Sequence, residues 1–216
     1  MSLVDRIRSL LRGEASKSRP SFGELDARAA RPARSGARRQ TNRRNLAEGI
    51  EPTEEFKLAL RLLEEKVPFV LVTGQAGTGK TTCIRWLRSE VPGNVVVVAP
   101  TGLAALTAGG QTIHSFFRFG QSPIEPAAIR VLRDPAIYQH LDLLIIDEIS
   151  MVSCDLLDAI DRFLRINRGE DDPQKRRVPF GGVQVIALGD PRTGASSPRP
   201  LYLTECLLIG PKENAA

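Results

Sequence analysis

The sequence predicts an α/β fold, a parallel sheet covered by helices on both faces, and three observations carry that prediction. Four short runs, PFVLVTG, NVVVVAP, LDLLIIDE and GGVQVIALGD, are apolar throughout instead of alternating, as strands buried on both faces are. Segments with helical spacing of apolar residues separate them, the order expected when crossover helices connect parallel strands. A glycine-rich loop, GQAGTGKTT, joins the first run to the helix after it.

Taken in order, residues 2–12 have the spacing of a short amphipathic helix: Leu3, Val4, Ile7, Leu10 and Leu11 share a face, and Gly13 can end it. From Glu14 to about Gly49 the chain turns to Arg, Ala, Ser, Gly and Pro, the composition of a disordered leader. Order is expected to begin at PTEEFKLALRLLEEK, with Thr53 as N-cap and Glu54 and Glu55 in the first helical turn. The strand PFVLVTG follows, then a helix over TTCIRWLRSE with Trp86 on its packing face. NVVVVAP reads as the second strand, TGLAALTAGG as a short helix and LDLLIIDE as the third strand. A helix over SCDLLDAIDRFLRIN, capped by Ser153, leads into the last strand, GGVQVIALGD.

Length and composition set the limits of the reading. The 216 residues suffice for one domain of ordinary size and a tail, and 42% hydrophobic with 25% charged residues is ordinary for a globular protein. No apolar run approaches the ~18 residues of a membrane span, and no secretory signal precedes the leader, so no membrane segment and a cytoplasmic location are expected. Cys83, Cys154 and Cys206 form no CxxC pair and are expected to be reduced thiols, mostly buried. Residues 1–48 hold twelve Lys and Arg against five Asp and Glu, whereas the remainder holds eighteen against twenty. The basic character therefore belongs to the leader, either as an arm that neutralises nucleic-acid phosphates or as a solvated linker.

The chemistry concentrates in two stretches. Gly74 to Thr81 fits the phosphate-binding loop pattern in its proper setting, after a strand and before a helix, which identifies a P-loop NTPase. Gly74, Gln75, Ala76, Gly77, Thr78, Gly79, Lys80, Thr81 and Thr82 would surround the phosphates of ATP, with backbone N–H groups and the helix N-terminus turned inward. Lys80 would reach the β- and γ-phosphates, and the Thr81 hydroxyl would ligate Mg²⁺. Asp147 and Glu148 close the run LLII at the strand end where α/β sheets bind ligands. Asp147 would hold Mg²⁺ through water, and Glu148 would orient or deprotonate the attacking water. The guanine-specifying N-K-x-D pattern is absent from the chain.

The colinear series EEFKLALRLLEEKVPFVLVTGQAGTGKTT, VVVVAPTGLAALTAGGQTIHSFF, LLIIDEISMV and PFGGVQVIALGD, over roughly residues 51–190, resembles the first motor domain of the Pif (petite integration frequency) family of superfamily 1B DNA helicases. The resemblance implies a RecA-like domain over residues 49–190 that belongs to an ATP-dependent 5′-to-3′ DNA helicase. It also implies a face for single-stranded DNA. Thr101 and Gly102 would donate to a DNA phosphate, and His114, Ser115 and Phe116 would contact the backbone or stack on a base. The plainer alternative is that Thr101 only caps its helix and that Phe116 and Phe117 are both core; for Thr101 both can hold, and Phe117 is expected in the core.

After Gly189-Asp190 the family continues into a Gln-Leu-Pro-Pro motif, whereas this chain reads PRTGASSPRP with Thr193 at the glutamine position. Residues 191–216 therefore read as a divergent tail, too short for the second RecA-like domain of such motors, and a truncated or frameshifted product with weak activity alone is the expectation, with a naturally short relative as the alternative. The sheet is expected to end at its fourth strand with an exposed edge. Two other readings stay open at this point: a stand-alone P-loop ATPase or kinase, and a non-catalytic nucleic-acid-binding fragment.

Overall fold

The computed structural model describes residues 49–120, 124, 129–169 and 172–190, together with the backbone of 207–209. The expected helix over 2–12, the Arg-rich leader and Thr193 lie outside the described residues. Helix α1 (Glu54–Glu64) begins where expected, with the Thr53 hydroxyl accepting from the Phe56 amide at 3.4 Å. Strand β1 (Phe69–Thr73), helix α2 (Lys80–Glu90) and strand β2 (Val95–Ala99) follow. Helix α3 (Gly102–Ala108), a two-residue strand β3 (Gln111–Thr112) and helix α4 (Ile113–Phe117) come next. Helix α5 (Ala136–Gln139), strand β4 (Leu143–Ile146), helix α6 (Cys154–Arg168) and strand β5 (Gln184–Gly189) lead to β6 (Leu207–Ile209). The Ser153 hydroxyl caps α6 by accepting from the Leu156 amide at 3.2 Å.

All strands run parallel in the order β3-β2-β4-β5-β1-β6. Alternate residues of each strand face opposite layers, so both faces are apolar. Leu144 and Ile146 of β4 join Val185 and Ala187 of β5 under Leu157, Ile160, Phe163 and Leu164 of α6. Leu143 and Ile145 join Ile186 and Leu188 under α1 and α2, where Phe56 and Trp86 meet with ring centroids 6.0 Å apart. That two-sided burial is why the strands read as unbroken apolar runs.

Two strands escaped the sequence reading, and they change the expected edge. β5, the fourth apolar run, enters between β4 and β1 and is not an edge strand. On the other side of β1, Val70, Leu71 and Val72 pair with Leu207, Leu208 and Ile209, inside the segment read as a divergent tail. β3 consists of only two residues, too few for any periodic signal.

Among the described residues no helix is long and apolar enough to cross a membrane. Cys83 is buried, and desolvation pushes its thiol up to about 12, which keeps it protonated and unreactive. Cys154 is half-buried, and Cys206 lies outside the described residues.

Arg168, in the last turn of α6, is buried among main-chain carbonyls. Its Nε donates to Gly181 O at 2.9 Å, and Nη1 donates to Gln139 O at 3.0 Å, Leu141 O at 2.8 Å and Tyr138 O. Burial pulls the guanidinium below its ordinary pKa, and the Asp142 charge opposes that pull. One cation thus ties the end of α6 to α5 and to the turn before β5. Replacing Arg168 by Met would remove four hydrogen bonds to main-chain carbonyls, three of them buried, and urea denaturation is expected to show a loss of about 3 kcal/mol or more.

Candidate active site

The phosphate loop is shaped by short contacts within itself. The Gln75 carbonyl accepts from the Thr78 amide at 3.3 Å and from the Thr78 hydroxyl at 2.9 Å, which curls the loop back on itself. Gly79 stands at the N-cap of α2 with φ +90°, a conformation that would strain any side chain. It offers no side-chain cap, so the first amides of α2 keep their donors for an anion. Lys80 Nζ donates to Gly74 O at 2.7 Å and Gln75 O at 2.9 Å, so the ammonium lies over the loop. Thr81 is half-buried, while Gln75, Ala76, Gly77, Thr78 and Thr82 are exposed.

The acidic half forms at the end of β4. The Asp147 amide donates to Val98 O at 2.9 Å, continuing the ladder with β2, and Asp147 is 5% exposed. Its Oδ1 accepts from the Glu148 amide at 3.0 Å. Glu148 is half-buried and left-handed, with φ +52°, so the chain breaks sharply out of the strand at this residue. Burial raises the Asp147 pKa; the Glu148 amide bond and the Lys80 charge oppose the shift, while the Glu148 charge adds to it. A buried carboxylate short of compensating charge, opposed only in part by the Lys80 charge, fits a hard divalent cation bound through oxygen.

The two halves meet because β5 lies between β4 and β1. The Gly74 amide donates to Gly189 O at 3.2 Å, fastening the loop to the end of β5. A Cβ at Gly189 would lie 2.8 Å from Ile149 Cγ2 and 3.2 Å from the Ile149 and Ser150 amides, so only glycine lets the turn after Glu148 pack there. Asp190, just beyond, is buried, and the sequence reading gave it no role. The signal was present: it is a carboxylate ending an apolar strand, like Asp147.

The second group of expected residues divides. Thr101 caps α3, its hydroxyl accepting from the Ala104 amide at 3.2 Å, and a Cβ at Gly102 would meet nothing within 4 Å, so the surface above it is open. His114 is half-buried, edge-on to Phe119 at 6.5 Å, and Ser115 is exposed. Phe116 is a correction. It is 4% exposed, with its ring against Phe117 at 4.9 Å and Tyr138 at 5.2 Å, and its carbonyl accepts from the Tyr138 hydroxyl at 2.6 Å. The α4 helix turns Ile113, Phe116 and Phe117 inward together, so Phe116 is core and not a stacking platform. Phe117 is in the core as expected.

This arrangement of phosphate loop, acidic strand end and capped helices has close counterparts. A family model described as PIF1-like helicase matches residues 54–194. The chain belongs to the PIF1-like helicase family. The ATP-dependent DNA helicase RRM3 of Saccharomyces cerevisiae is 32% identical over 159 residues, which cover 69% of this chain and 21% of that protein. Human ATP-dependent DNA helicase PIF1 is 38% identical over 127 residues, covering 56% of this chain and 19% of that protein. The crystal structure of Pif1 helicase from Bacteroides in complex with ADP-AlF3 and ssDNA superposes with a TM-score of 0.57 at 43% identity, over 66% of this chain and 33% of that one. This PIF1-like chain spans about a fifth of the length of the curated relatives it matches.

The raised Asp147 pKa has a consequence with a definite sign. A carboxyl raised in the folded state favours folding below its unfolded pKa, and that contribution is lost as pH rises through the folded value. At neutral pH, Asp147→Asn is therefore expected to raise Tm by a few degrees, as removing a buried charge does. The same variant is expected to lose the further Tm increase that Mg²⁺ with ATP gives the unmodified chain. Thermal melts with and without both ligands check both.

Proposed function

We propose that this chain forms the ATP-binding and hydrolysing motor unit of a 5′-to-3′ DNA helicase, using ATP and Mg²⁺ and moving on single-stranded DNA. The motor unit spans residues 49–190, with 207–209 completing its sheet. The observation that carries the proposal is the meeting of the Lys80 loop and the Asp147-Glu148 turn at one edge of the sheet, joined through Gly189. The Bacteroides Pif1 structure supports it, because that protein holds both ADP-AlF3 and ssDNA.

In this reading, Gly74 to Thr82 wrap the triphosphate, and the α2 amides receive its oxygens. Lys80 releases the Gly74 and Gln75 carbonyls and donates instead to the β- and γ-phosphates, an exchange of contacts that costs little because the ammonium is already over the loop. Thr81 and Asp147 would hold Mg²⁺, whose charge offsets that of the phosphates. Glu148, set at an angle to the strand by its left-handed backbone, positions the attacking water and accepts its proton. Thr101, Gly102, His114 and Ser115 form the surface for the DNA strand, at the same edge of the sheet because β2 and β3 end there in parallel. ATP-driven movement of a further motor domain against this one would step the strand.

Steady-state ATPase with and without single-stranded DNA tests the proposal. Lys80→Ala is expected to weaken ATP binding by about 10- to 100-fold, the worth of charge-assisted hydrogen bonds to phosphate. Unchanged nucleotide affinity in that variant would overturn the site. Turnover that depends on a small-molecule acceptor and ignores DNA would instead identify a kinase.

A further inference from the structure

Arg118 is the residue whose backbone and side chain ask for different explanations. It directly follows α4 and is left-handed, with φ +56° and ψ 35°, while its amide donates to His114 O. A glycine would close the helix in the same way without the clash that a Cβ meets in this conformation. Three other described non-glycine residues share a positive φ: Lys66, Glu148 and Phe180. Phe180 is fully buried core, and Glu148 belongs to the acidic half of the site. Arg118 is exposed, and among the described residues its side chain has no hydrogen bond or ion pair. Helix termination accounts for the backbone, but it gives no reason for a long cation.

The neighbours supply one. Arg118 closes α4 directly after the turn that holds His114, which is half-buried, and Ser115, which is exposed. Ile113, Phe116 and Phe117 take the core side. Outside the core residues, this short stretch therefore carries an imidazole, a hydroxyl and a guanidinium, and no acidic side chain. Burial raises the Tyr138 phenol, and the Arg118 charge opposes that rise. The stretch follows β3, whose Thr112 pairs with Ala99 at the end of β2, two residues before Thr101.

We propose that Arg118 binds a backbone phosphate of the DNA strand that crosses His114 and Ser115, and that this contact is why a strained arginine stands where glycine would fit. The inference rests on the single-stranded DNA reading given above. The contact is with phosphate and not with bases, so it adds affinity without sequence preference.

Anisotropy titrations of the full 216-residue chain with labelled oligothymidylate, over a series of salt concentrations, test it alongside thermal melts. Arg118→Gly and Arg118→Asn both suit a left-handed residue, so Tm is expected to stay level or rise by about 2 °C. Their DNA affinity is expected to fall by about three- to tenfold at low salt, with the log-log salt slope shallower by about 0.7. Arg118→Lys keeps the charge and the strain and is expected to restore most of both. Gly and Asn variants that bind as tightly as the parent, while Ser115→Ala binds more weakly, would overturn the Arg118 assignment and leave the DNA face standing. A clear fall in Tm for Arg118→Gly would overturn it too, making the side chain a brace of the fold. No binding of DNA by the unmodified chain would overturn the DNA face itself.

Discussion

The hydrogen bond from the Gly74 amide to the Gly189 carbonyl sets the geometry of the whole carboxyl edge of the sheet. It fastens the first residue of the phosphate loop to the last residue of β5. β5 can serve as that anchor because ladders hold it on both sides, to β4 and to β1. The missing side chain at Gly189 matters equally, since it admits the Ile149-Ser150 backbone and so draws the Glu148 turn against the same strand end. Loop and acidic turn come from segments far apart in the chain, and one bare strand terminus brings them together.

Stability is given up at this edge. Asp147 is a buried carboxylate whose ionised form burial disfavours, and Glu148 occupies backbone space that few residues with a Cβ tolerate. Lys80, in contrast, satisfies its charge on the Gly74 and Gln75 carbonyls. The two faces of the sheet offset these losses with dense apolar packing, and Arg168 closes the opposite edge by binding carbonyls from two segments. Rigidity at one edge lets strain persist at the other.

How much of this was legible varies with the range of the interaction responsible. The caps at Thr53, Thr101 and Ser153 follow from bonds spanning three residues, and all three are present. The four apolar strands and the phosphate loop were equally plain, because each is a contiguous signal. Phe116 was not. TIHSFF places two aromatics side by side, and only the inward rotation of α4 against Tyr138 shows that the Phe116 ring joins Phe117 in the core. β3 and β6 were missed because two or three residues carry no period, and their strand character comes from a neighbour's unpaired edge. Arg118 passed without notice, since a left-handed backbone is invisible in the letters when the residue is not glycine.

By itself, the sequence determined the layered α/β class, the phosphate-binding loop, the acidic strand end and the resemblance to Pif-type helicases, since each depends on local pattern or contiguous motif. Tertiary structure alone decided the strand order, the capture of 207–209 by β1, the burial of Phe116 and the strain at Glu148 and Arg118. The physical reason is that hydrogen-bond ladders and core packing join residues distant in the chain. Periodicity and propensity report only what a residue does with its near neighbours.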